Sequence, residues 1–125
     1  KRQVVTDDAG PISSGSQTNT SVSIKTQSFT ADYDGQLIVT ISFDGNQTAG
    51  GGVVLGFAAI DIGGSLAAAS SGALLDSTSR AHIQRCTTSV SAGDSIDVAL
   101  RSKHALGTST GSYSVIEITS ELIKK

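Results

Sequence analysis

The segment QLIVTISF, Gln36 to Phe43, alternates without a break: Leu37, Val39, Ile41 and Phe43 fall on one side, and Ile38, Thr40 and Ser42 on the other. Successive side chains of an extended strand point to opposite faces. Four consecutive alternations rich in β-branched residues therefore predict a strand with one buried face. A chain organised around such a strand needs a second layer to cover that face.

The same period of two recurs along the sequence. SIDVAL turns Ile96, Val98 and Leu100 inward, and SYSVIEITSELI sets Ile116, Ile118 and Leu122 on one face with Tyr113, Val115, Glu117 and Thr119 opposite. In SVSIKTQSFT the apolar face passes from Val22 and Ile24 to Phe29, which predicts a bulge or strand break near Gln27. RAHIQRCTTSV reads as a half-exposed strand. VVLGFAAIDI is nearly all apolar, as expected of a strand covered on both faces, by a second sheet or a partner chain. Turn chemistry marks Asp44 to Asn46, Ala49 to Gly52 and Ser91 to Asp94. Gly63 to Ser79 reads either as a helix of one or two turns or as a long surface loop. No internal repeat is evident. Six or seven short strands with turns between them predict an all-β fold, an antiparallel jelly-roll β-sandwich.

Residues 1–20 differ from the rest. They hold the only proline, Pro11, and little apolar periodicity, so they predict an extended N-terminal arm on a sandwich domain of residues 21–125. Val4, Val5 and Ile12 are the arm's docking candidates. Twenty such residues bury too little apolar area to order themselves, so their order is expected to come from a partner. Deleting them is expected to leave the domain folded and to abolish docking.

The chemistry that is missing narrows the function. Lys and Arg number 9 against 11 Asp and Glu, a net charge of −2, which argues against a phosphate-tracking surface for nucleic acid. No apolar run reaches the roughly 18 residues needed to cross a bilayer. One cysteine, Cys86, excludes an intrachain disulfide and every multi-cysteine metal site, and a lone cysteine in a strand reads as a buried, inert thiol. His82 and His104 lack metal-ligand spacing, and neither GxSxG nor a phosphate-binding GxxxxGK[ST] occurs. The segments holding Asp32, Asp34 and Asp44 resemble fragments of calcium loops, but the third ligand, the central Gly and the closing Glu are absent, so they read as turn formers. Asn19 and Asn46 lie in N-x-[ST] sequons, a common accident where Ser and Thr abound. No catalytic residue, metal or cofactor is expected.

SFTADYDGQLIVTISFDGN, SVSAGDSIDVALR and the closing SYSVIEITSEL together resemble the tumour necrosis factor and complement globular-head superfamily of jelly rolls. Phe29, Ala31, Asp34, Gly35, Leu37 and Val39 follow that family's order of aromatic, small residue, Asp-Gly turn and alternating strand. Gly93, Asp94, Ile96 and Val98 match its later Gly-Asp turn and strand, and Ile116 to Leu122 its closing strand. The aromatic that often follows the Asp-Gly turn is replaced here by Leu37. The resemblance covers Ser21 to Ile123 and implies a non-enzymatic trimer that binds proteins or glycans. Small Ser/Thr/Gly-rich members look most like bacteriophage virion domains: capsid decorations, head fibres and tail-fibre tips.

The expected role is thus a structural one at a virion surface, docked through the arm to a major capsid or fibre-shaft protein. VVLGFAAIDI and the Tyr113 face need more cover than one sandwich interior supplies, so Val53, Leu55, Phe57, Tyr113 and Val115 are expected in a homotrimer contact. The alternative is a lectin-like module binding a host-surface glycan or receptor, with Tyr33 and Tyr113 as stacking rings. For the metal question, chelator is expected to leave the melting temperature unchanged within about one degree, because removing a structural ion would withdraw its binding free energy from the native state. A drop of several degrees, restored by calcium, would assign Asp32, Asp34 and Asp44 to an ion site.

Overall fold

The computed structural model describes residues 2–7 and 10–125, with side chains described at Val4 and from Gly10 onward. Its strands are β1 (Arg2–Asp7), β2 (Ile12–Ser13), β3 (Gln17–Thr18), β4 (Ser21–Thr30), β5 (Gly35–Gly50), β6 (Val53–Ile62), β7 (Ser65–Ala69), β8 (Ala73–Leu74), β9 (Arg80–Val90), β10 (Ser95–Ala105) and β11 (Thr108–Lys124). There is no helix among the described residues.

Strand pairing follows one simple rule. The turn at Gly63–Gly64 joins β6 to β7, and around that hairpin β5 pairs with β9, β4 with β10, and β1 with β11, all antiparallel. The chain is one long hairpin, nested outward from its middle. Rolling it up adds β6 against β10 and β5 against β11. Two sheets result, β1-β11-β5-β9 and β4-β10-β6-β7, with β2 and β3 also on β11 and β8 on β6. This is the jelly roll, an antiparallel β-sandwich.

The pairing changes the reading of the first twenty residues. β1 runs from Arg2 opposite Glu121 to Asp7 opposite Ile116, and β2 and β3 continue along the same strand. Ser14 locks the segment in place: its N–H donates to the Gly111 carbonyl at 2.9 Å, and its hydroxyl accepts from the Gly111 N–H at 2.9 Å. The segment is extended, as expected, but it is ordered by its own chain. An edge strand satisfies its backbone against β11 without a large apolar face, which composition does not reveal.

The interior is made of the residues that alternation turned inward. Leu37, Val39, Ile41 and Phe43 of β5 and Ile116, Ile118 and Leu122 of β11 are buried against Val54, Ala58, Ile60, Ile96, Val98 and Leu100 of the facing sheet. Each such side chain contributes about 1.5–3 kcal/mol by leaving water. Phe43 and Tyr113 meet at 5.5 Å between ring centroids, over Gly56. A Cβ there would lie 2.6 Å from Phe43 Cζ and 2.9 Å from Tyr113 Cε2, so glycine leaves room for the rings.

Four local expectations are corrected. Tyr113 does not share a face with Val115: the β11 register shifts between Ser114 and Glu117, and Val115 takes φ 51°. That bulge turns Tyr113 into the core beside Ile116 and Ile118 and leaves Val115 59% exposed. Asp44 to Asn46 continues β5, because neighbours on both sides hold it extended over its turn propensity. The β4 bulge sits at Ile24, not near Gln27: Leu100 pairs with Lys25 and Arg101 with Ser23. Gly63 to Ser79 is neither helix nor plain loop, since it contributes β7 and β8.

Deleting residues 1–20 is now expected to destabilise the domain, because it strips one ladder from β11. A thermal melt should show a loss of many degrees and a tendency to aggregate through the exposed edge. An unchanged melting temperature would contradict the role given to β1.

Candidate functional site

Several of the candidate chemical groups make structural contacts inside the fold. His104 leads, because both its ring nitrogens are engaged. Nε2 lies 2.9 Å from Ser102 Oγ, and Nδ1 lies 2.9 Å from Ser109 Oγ. Tyr113 donates its hydroxyl to Ser102 Oγ at 2.7 Å. In a neutral imidazole one of these ring nitrogens donates and the other accepts, and the serine hydroxyls can serve either tautomer. The chain of four side chains ties β10 to β11, and the His104 N–H donates to the Thr20 carbonyl at 2.7 Å. All four are buried, so no substrate reaches the imidazole. Burial pushes the His104 pKa down and the Tyr113 phenol up to about 12, although the Ser102 hydrogen bond acts against the latter shift.

The remaining chemical candidates serve structure as well. His82 stacks on Phe43 at 5.4 Å between centroids. Cys86 is buried in β9, and desolvation raises its pKa to about 11, far from a reactive thiolate. Asp34 Oδ1 accepts the Ala92 N–H and Asp94 Oδ2 the Ser91 N–H, each at 2.8 Å, which is turn chemistry. Asp44 lies within β5. Among the described residues no group of three or more His, Cys, Asp or Glu is placed to hold a metal ion.

The residues expected at an interface do not converge. Tyr113 is fully buried and cannot reach a partner. Val53, Leu55 and Phe57 are half-buried on the outer face of the sheet containing β6, whereas Val115 stands out at the bulge of the other sheet. Of the docking candidates, Val4 is exposed, Ile12 packs against the chain's own core, and the side chain of Val5 lies outside the described residues. The stacking rings fare no better. Tyr33 is half-buried, with its hydroxyl donated to the Leu122 carbonyl at 3.0 Å and Lys124 Nζ 5.7 Å from its ring centroid.

What stays available is the outer surface, and its two sheets differ. On β5 the outward residues are Gln36, Ile38, Thr40, Ser42, Asp44 and Asn46, mostly polar as solvent requires. On β6 they are Val53, Leu55, Phe57 and Ala59, an apolar row that ends only at Asp61. Alternation on β6 is thus apolar on both sides, which hid the direction of its faces from the sequence.

No protein-family model and no curated protein matches this chain. Solved structures do. The infectious bursal disease virus Gt strain structure superposes with a TM-score of 0.60 at 12% identity, covering 98% of this chain and 33% of that one. The VP2 subviral particle of the same virus gives 0.56 at 8%, covering 100% and 38%. The C-terminal domain of EclA, a sugar-binding protein, gives 0.51 at 10%, covering 94% and 78%. The likeness is one of fold. This chain spans about a third of the length of the viral proteins it matches.

The buried imidazole predicts a pH dependence. In the unfolded chain histidine takes up a proton near pH 6.5, whereas folded His104 does so only at lower pH. Below pH 6.5 the unfolded state therefore binds more protons, and stability falls with pH; above it the contribution is fully present. The melting temperature is expected to drop between pH 7.5 and pH 5, and His104→Gln to shrink that drop while lowering stability at pH 7.5. An equal drop in the variant would remove His104 from the account.

Proposed function

We propose that this chain is a non-enzymatic structural module of a bacteriophage virion surface, acting as a capsid-decoration, head-fibre or tail-fibre domain. The observation that carries the reading is where its chemistry and its apolar surface lie. His104, Cys86, Asp34 and Asp94 are engaged or buried within the fold. The outer row Val53, Leu55, Phe57 is instead left for another protein surface. Such a molecule works by being held in place. The jelly roll, shared with the VP2 subviral particle of a virus, fits this role.

A glycan-binding role has one feature in its favour. A shallow groove of about 290 Å³ on the outer face of the β5 sheet is lined by Ile38, Thr40, Arg85, Thr119 and Glu121, which offer hydroxyls, a cation and a carboxylate beside one apolar side chain. It holds no aromatic ring for stacking.

Two measurements test the main reading. The gene is expected among head and tail genes, and mass spectrometry of purified particles is expected to recover the chain. Its absence from the particles would overturn the assignment, and specific, saturable binding on a glycan array would favour the alternative.

A further inference from the structure

The outer face of the β4-β10-β6-β7 sheet is laid out in rows by strand register. Its middle row is small: Thr26, Ala99, Ala59 and Ala69 sit side by side across β4, β10, β6 and β7. One row to one side stand Asp97 and Asp61, directly paired across β10 and β6. One row to the other side stand Arg101 and Phe57, also directly paired, followed by Lys103 and Leu55. Leu74 of β8, paired with Leu55 and 62% exposed, extends the apolar part.

Three features of this face are unfavourable in an isolated chain. Two carboxylates stand directly opposite one another, an arrangement that destabilises a sheet; Ser28 donates to one of them, Asp97 Oδ1. Asp61 Oδ1 is buried with no hydrogen-bond partner among the described residues, and so is Arg101 Nε. An unsatisfied acceptor and an unsatisfied donor thus lie on either side of a row of small residues, on a mixed face whose larger apolar groups are Leu55, Phe57 and Leu74. Buried polar atoms are rarely left so, because each costs its full desolvation.

We infer that a second copy of this chain covers the face, related by a two-fold axis running along the alanine row. That operation reverses strand direction, so the Arg101–Phe57 row of one copy lies over the Asp97–Asp61 row of the other, twice by symmetry. Arg101 of each copy then enters between the two carboxylates of its mate. Ala59 and Ala99 are already buried, 2% and 6% exposed, so the contact is carried by the rows on either side of them. An axis along the strands would instead set Arg101 against Arg101. A single patch carrying both complementary charges is self-complementary, which a pairwise contact uses and a threefold one does not, so a dimer replaces the trimer expected from sequence. The inference does not depend on the virion reading.

The size of the face sets the strength. Eight residues at 3.3 Å by four strands at 4.8 Å is about 26 by about 19 Å, or roughly 1,000 Å² buried over both copies, at the lower limit for a specific interface. A dissociation constant in the micromolar range is expected.

Sedimentation velocity on the full chain, from about 5 to about 200 µM, should show a monomer–dimer equilibrium that weakens as salt rises. Arg101→Glu alone, and Asp61→Lys with Asp97→Lys, should each weaken self-association by about tenfold or more. Mixing the two variants should restore a heterodimer, since every reversed charge then meets its complement; this recovery also reports that both are folded. The wild-type mass needs no variant. Monomer throughout, a trimeric mass, or a mixture that stays monomeric would each overturn the proposal.

Discussion

The long strand β11, paired along both its edges, joins the start of the chain to the core. It takes β5 on one side and β1, β2 and β3 on the other, and its inward residues supply much of the core. Its partners come from opposite ends of the nested hairpin. β1 to β11 closes nearly the whole chain, and the loop-closure entropy of such a pairing must be met before its contacts reward it. The innermost pair, β6 with β7, needs only the turn at Gly63–Gly64. Zipping outward from that turn would shorten each later closure, with β1 added last. Seating the first strand is therefore the completion of the fold.

The polar chain from Tyr113 through Ser102 and His104 to Ser109 makes that completion specific. A buried hydroxyl or imidazole is costly unless bonded, and these four satisfy one another only when β10 and β11 of the two sheets face each other in this alignment. A slip by one residue would point His104 outward and break the links. Alongside, the Ser14 hydrogen bonds fix the segment between β2 and β3 against Gly111. Residues that look like fragments of an active site thus act as registration marks.

The two outer faces then divide the labour. The β5 side alternates to threonine, serine and glutamine and tolerates water. On the other side the β6 row Val53, Leu55 and Phe57 is apolar, β10 turns Asp97, Arg101 and Lys103 outward, and Asp61 Oδ1 and Arg101 Nε are buried with no hydrogen-bond partner among the described residues. The two exteriors differ in this way because each sheet covers the other on one side only.

Local alternation determined a good deal by itself. Leu37, Val39, Ile41, Phe43, Ile96, Val98, Leu100, Ile116, Ile118 and Leu122 are inward in the sequence pattern and buried in the structure, because period two is a property of the extended backbone and needs no tertiary knowledge. The layered all-β class followed from them. Pairing was not legible in the same way. A strand with weak apolar pattern, such as β1, owes its place to hydrogen bonds from a strand more than a hundred residues away. The bulge at Val115 inverts the face of Tyr113, and no composition signal marks it. His104 shows no motif spacing, since of its network Ser102 is a neighbour on β10 while Ser109 and Tyr113 come from β11 in the facing sheet. Tertiary structure alone decided these, because they depend on which backbone groups find each other and not on what any one segment prefers.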